Sequence, residues 1–258
     1  MFFPIADDDR ALYRPCYVTW ALLVANVVVF FIQLASPEFT YGFAATPAEI
    51  TSGKDLVGPV RIAIEGETEV IEIPHGPGPW PIFLTLLTSM FMHGGWMHLG
   101  GNLLFLYIFG DNVEHRFGSL RFLLFYLASG LVASLAQVMV DPESVIPTLG
   151  ASGAISGVMG AYLVLFPHNR VYAVVAFVFL VSVPAYLVLV MWAVLQFFSG
   201  IGSLSETTQA GGVAYAAHIG GFVAGVLMAL LVRRKLKEEP ESGMRASYRR
   251  DPRDRRWW

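Results

Sequence analysis

Six long apolar segments dominate this chain, at 18–34, 82–109, 120–140, 151–166, 171–198 and 213–232. About 20 apolar residues in a helix cross roughly 30 Å of hydrocarbon. Lipid offers backbone amides no water, so such segments restrict a chain to helices packed as a bundle. Composition agrees: 55% of residues are hydrophobic and 14% charged, against about 25% charged in a soluble domain, and mean hydropathy is +0.57. The expected class is an all-α polytopic membrane protein with six transmembrane helices. A net charge of −3 argues against a nucleic-acid partner, and the single Cys16 excludes an intramolecular disulfide.

The chain divides into an N-terminal segment, 1–17, an apolar body, 18–232, and a basic tail, 233–258, too charged to build a core. Within the body, 37–81 carries seven acidic residues with several Gly and Pro, which makes it a polar loop outside the lipid. Two-residue alternation over 60–73 predicts a small hairpin turning at Glu65-Gly66-Glu67. Lys and Arg orient the segments. Six crossings place Arg10, Arg14, Arg116, Arg121, Arg170 and the ten basic residues of the tail on one side, 15 of 17 in all. Only Lys54 and Arg61 fall on the other. The positive-inside rule then puts both termini in the cytoplasm and 37–81 outside, as for a multi-pass protein of a cell (inner) membrane.

Polar residues within the apolar segments carry the chemistry. Ser152, in Gly150-Ala151-Ser152-Gly153, opens the fourth segment, and His218 lies in the sixth. An ionisable residue at such a place is a functional-site candidate. A serine and a histidine on separate segments suit nucleophile and general base, provided the helices approach closely. Gly153 and Gly157, and Gly221 and Gly225, are each four apart, as close-packed membrane helices require. His98 and Asn102, also four apart, share one helix face and suit the stabilisation of an oxyanion. A metal site is disfavoured: no carboxylate lies in the outer halves of these segments, and His93 and His98 lack the four-residue spacing. Ser156, a turn deeper, is the rival nucleophile. A transporter would show mid-membrane ionisable residues and repeated halves, neither of which is visible.

His93, His98 and Asn102 in the second segment, Gly150 to Gly153 at the fourth, and Ala217, His218, Gly221 and Gly225 in the sixth resemble the motifs of the rhomboid intramembrane serine proteases. Glu114-His115-Arg116-Phe117-Gly118, and Trp192 with Gln196, add to the likeness. The resemblance implies a six-helix rhomboid-like bundle and a Ser152–His218 dyad with no third acid. It implies an oxyanion hole of the Ser152 N–H, His98 and Asn102, supported by His93, Gly150, Gly153, Gly157 and Gly221. It also implies cleavage of transmembrane protein substrates within the bilayer, with no cofactor or metal. Many relatives carry an aromatic residue where Ser156 stands, stacked on the histidine. The imidazole here is then oriented by close glycine packing, Tyr215 or Tyr162. Pro184, in the middle of the fifth segment, either kinks a gate helix or is an ordinary tolerated membrane proline.

Overall fold

The computed structural model describes residues 2–8, 15–63, 70–176, 178–203 and 214–236. Six long helices run through it: α1 (Tyr17–Ala35), α2 (Trp96–Phe117), α3 (Ser119–Val140), α4 (Ser152–Leu165), α5 (Ala185–Ser203) and α6 (Tyr215–Val232). By length and composition α1, α3, α5 and α6 are able to cross a membrane. The other two differ for visible reasons. α4 has 14 residues, about 21 Å of rise, and α2 carries Asp111, Asn112, Glu114, His115 and Arg116 in its last turns. The chain is thus a mostly helical, multi-pass membrane protein.

α4 is the central helix, with every residue from Gly153 to Tyr162 buried. α2, α3 and α6 surround it, and its Val158, Met159 and Tyr162 join one core with Leu106, Phe109, Phe122 and Tyr126. The segment 82–109 is not one helix. Residues Ile82–Phe91 form short helical turns, and α2 begins only at Trp96. Two glycines, Gly94 and Gly95, disfavour helix between them. Gln33 of α1 holds the interruption open: its Oε1 accepts the His93 N–H at 2.8 Å, and its Nε2 donates to the His93 carbonyl at 3.3 Å.

The fold is not all-α. Strands β2 (Val60–Ala63) and β3 (Val70–Ile73) pair antiparallel, as alternation predicts; the turn at Glu65-Gly66-Glu67 lies outside the described residues. A second sheet has the order β1 (Phe2–Asp7), β4 (Arg170–Val175), β5 (Phe179–Pro184), all antiparallel. The segment 171–198 is therefore half hairpin, half helix. Val171, Tyr172, Val174, Val175, Phe179, Val181 and Val183 are β-branched or aromatic, and such residues favour a pleated surface. Pro184 ends the edge strand β5, where its missing N–H is harmless, and α5 starts at the next residue. A kink of α5 at Pro184 is thereby excluded. Asp7 anchors the sheet to the helices: its carboxylate accepts a 2.9 Å hydrogen bond from Asn112 Nδ2 and another from the Tyr162 hydroxyl.

Glu114, buried near the end of α2, ties three helices together. It accepts the Val18 N–H at 3.0 Å, the Thr19 N–H at 2.6 Å, the Thr19 hydroxyl at 2.8 Å and the Ser119 hydroxyl at 2.6 Å. A carboxylate is well placed where a helix begins with orphan N–H groups. Glu114→Ala strips four donors of their acceptor at once. We expect a loss of about 2–5 kcal/mol, read as a lower unfolding midpoint in detergent micelles, whereas a surface change such as Glu72→Gln leaves the midpoint unchanged.

The polar loop contains its own pH-sensitive group. His75 is buried. Burial holds its pKa below the usual imidazole value of 6.5. The neutral ring is the form that fits, so its contribution to stability is intact above about pH 6.5 and declines as pH falls below that value. Next to it, the Pro77 backbone packs so closely on Gly42 that a Cβ there would overlap the Pro77 carbonyl oxygen. Hydrogen-exchange protection of the Gly58 amide, which donates to the His75 carbonyl, corrected for intrinsic rates, should fall between pH 7.5 and pH 5. His75→Phe should abolish that difference.

Candidate functional site

α4 and α6 touch backbone to backbone. A Cβ on Gly221 would overlap the Gly153 carbonyl oxygen, one on Gly225 the Gly157 carbonyl oxygen, and one on Gly160 the Phe222 carbonyl oxygen. On its other side α4 packs just as tightly on α3: a Cβ on Gly153 would stand 2.6 Å from the Ala133 Cβ. The four-residue glycine spacing read from the sequence is therefore the contact line itself. It brings together the first residue of α4 and the fourth of α6, 66 residues apart: the Ser152 hydroxyl lies 2.7 Å from His218 Nε2.

α5 supplies the remaining partners of the imidazole. His218 Nδ1 lies 2.7 Å from Gln196 Oε1, within hydrogen-bond distance. One turn earlier on the same face, the Trp192 indole lies 6.0 Å from the imidazole centroid at an interplanar angle of 39°. With the proton on Nδ1, Nε2 is the acceptor for the Ser152 hydroxyl. Tyr162 does not orient the ring, since its hydroxyl is engaged by Asp7 and Asn169. The aromatic ring against His218 is that of Trp192, not of Tyr215. Ser156 turns away: its hydroxyl donates to the Ser152 carbonyl at 2.6 Å, and the side chain is buried.

The oxyanion candidates surround the same point. His98 Nδ1 accepts the Gly94 N–H at 3.2 Å, which leaves the ring proton on Nε2. A Cβ on Gly150 would sit 2.9 Å from His98 Nε2 and 3.4 Å from Ser152 Oγ, so both side chains face the space that this glycine leaves free. Its φ of +138° also favours glycine. Asn102, one turn beyond His98, is buried, and among the described residues its Nδ2 has no partner. His93 is held through its backbone by Gln33, while its ring packs edge-on against His98 at 5.2 Å. A cavity of about 30 Å³ adjoins Ser152, lined in part by Ser89, Ser134, Gln137 and Thr148. Its wall mixes polar and apolar groups, with room for about one water.

Comparison with known proteins agrees with this architecture. The family model described as the Rhomboid domain matches residues 82–235, more than half of the chain. The chain belongs to the rhomboid family. This rhomboid is 35% identical over 204 residues to the Rhomboid protease GluP of Bacillus subtilis (strain 168), covering 77% of this chain and 36% of that protein. It is 31% identical over 237 residues to the RHOMBOID-like protein 4 of Arabidopsis thaliana, covering 85% and 52%. With the Rhomboid protein 1, mitochondrial, of Saccharomyces cerevisiae it shares 29% over 175 residues, covering 64% and 46%. The matched part thus spans about a third to a half of these relatives. Sequence reasoning noted Trp192 and Gln196 without placing either on His218, and it missed Gln33. Polar residues in apolar helices were the available signal in both cases.

Proposed function

We propose that this rhomboid is an intramembrane serine endopeptidase that cuts transmembrane segments of other membrane proteins. The observation that carries it is the 2.7 Å contact between the Ser152 hydroxyl and an imidazole whose other nitrogen lies 2.7 Å from Gln196 Oε1. Ser152 Oγ attacks the scissile carbonyl as its proton passes to His218 Nε2. The developing oxyanion receives hydrogen bonds from the Ser152 N–H at the start of α4, from His98 Nε2 and from Asn102 Nδ2. Collapse of the tetrahedral intermediate transfers the proton from His218 to the leaving amine. Water then attacks the acyl-enzyme by the same route in reverse.

The protease domain in this reading is 18–232, with six crossings, flanked by the cytoplasmic segment 1–17 and the cytoplasmic tail 233–258, of which 237–258 lie outside the described residues. The positive-inside bias supports cytoplasmic termini in a cell (inner) membrane, with 37–81 on the opposite side. α4 then starts below the outer surface because it is short, so Ser152 meets the substrate and outside water near the extracytoplasmic face. Irregular backbone before α4 is tolerated at that depth because it lines a protein-walled cavity. The test is a fluorophosphonate probe on the protein in liposomes, followed by peptide mapping. The expected adduct is on Ser152, with cleavage of a reconstituted transmembrane substrate blocked in parallel. A protein that takes no label and cuts no such substrate would not be this enzyme.

A further inference from the structure

α5 supplies both a hydrogen-bonding group and an aromatic ring to the imidazole on the side away from Ser152. Trp192 and Gln196 are four residues apart, so they stand one above the other on the face turned to α6. Gln196 is the only one of the two that can hold a proton in place. We propose that Gln196 is the positioning residue of the dyad: its amide oxygen holds the proton of His218 on Nδ1 and keeps Nε2 free to receive the Ser152 proton. This inference rests on the Ser152–His218 reading and names a third member of that site.

The argument is one of tautomers. A neutral imidazole carries one ring proton. With that proton on Nε2, His218 would point an N–H at the Ser152 hydroxyl and take nothing from it. A hydrogen-bond acceptor at Nδ1 selects the working form. When the proton moves from Ser152 Oγ to Nε2, the Nδ1 proton stays where it is. Its bond to Gln196 Oε1 then becomes charge-assisted and stronger, which favours the imidazolium without any further proton movement. An amide suits this place better than a carboxylate. The surroundings are an apolar groove between α5 and α6, lined by Trp192, Gln196, Phe197, Ile219, Phe222 and Val223. A permanent negative charge there would be costly, whereas a carbonyl dipole is neutral. Trp192 closes the same flank with its ring and offers no acceptor.

The test reads the tautomer directly. In the full-length protein in liposomes, selectively labelled with ¹⁵N-histidine and assigned by comparison with His218→Gln, the His218 resonances should report a proton on Nδ1 and none on Nε2 at neutral pH. Gln196→Met keeps the length of the side chain and removes the amide. It should mix the tautomers and lower kcat about 10- to 100-fold, with KM within about twofold, well short of the roughly 10⁴-fold lost when a serine protease triad loses its carboxylate partner. A wild-type spectrum with the proton on Nε2 overturns the proposal without any variant. So does Gln196→Met with kcat and tautomer unchanged, or with kcat lowered while the tautomer stays, which would mark a merely structural role. Should wild type cut no substrate and take no fluorophosphonate, the dyad reading fails, and the ¹⁵N spectrum still decides whether Gln196 sets the tautomer.

Discussion

Replacing Ser152 by alanine should reduce kcat by about 10³-fold or more, to the limit set by residual oxyanion stabilisation and binding. The unfolding midpoint should barely move, because Ser152 is only partly buried and, among the described residues, its side chain makes a single hydrogen bond, with His218 Nε2. Ser156→Ala is the matched control. Its hydroxyl is held by the Ser152 carbonyl one turn back, while the imidazole nitrogens lie against Ser152 Oγ and Gln196 Oε1, so cleavage should persist within a few-fold. A common transmembrane substrate in liposomes, followed by gel and by mass of the fragments, separates the two. Cleavage that survives in Ser152→Ala and disappears in Ser156→Ala would assign the nucleophile to the deeper serine.

The second large effect falls on a residue with no side chain at all. Gly221→Leu would drive a Cβ into the Gly153 carbonyl oxygen, a rigid backbone atom that has no rotamer to yield. α4 and α6 would have to separate, and the Ser152–His218 bond spans the seam that opens. A displacement of about 1 Å at reacting groups costs on the order of 10²-fold in rate, and overpacking adds roughly 1–3 kcal/mol of instability, occasionally more. Gly221→Leu should therefore lose cleavage and fluorophosphonate labelling together. Gly100→Ala is the comparison, since among the described residues a Cβ at the exposed position 100 meets nothing within 4 Å, and its activity should match wild type. Full labelling of Ser152 in Gly221→Leu would show that the glycine seam does not set the dyad distance.

These two expectations differ in how early they were readable. Gly221 and Gly225 stand four apart in the sequence, and a helix turns any such pair into a smooth face, so the seam was visible before the fold. The hairpin of β2 and β3 was readable for the same reason, as alternation is a local signal. The strands β4 and β5 were not. A continuous apolar run has no period to distinguish a strand from a buried helix, and β4 becomes a central strand because β1 arrives from the other end of the chain. The interruption at 92–95 depends likewise on Gln33, 60 residues away.

The candidate site divides along the same line. Ser152, His218, His98 and Asn102 stood out because polar groups are costly in apolar segments. Their residue types announced the chemistry. The orientation of His218 did not announce itself, since Gln196 reaches it across 22 residues and from another helix. By itself the sequence determined the apolar helices, the glycine faces along which two of them pack and the pair of side chains that compete for attention, all of which follow from composition and local periodicity. Only the tertiary structure decided where 171–198 changes from strand to helix, what holds His93 in place and which group meets Nδ1 of His218. Those answers are contacts between residues remote in the chain, and no local pattern encodes which remote residue will arrive.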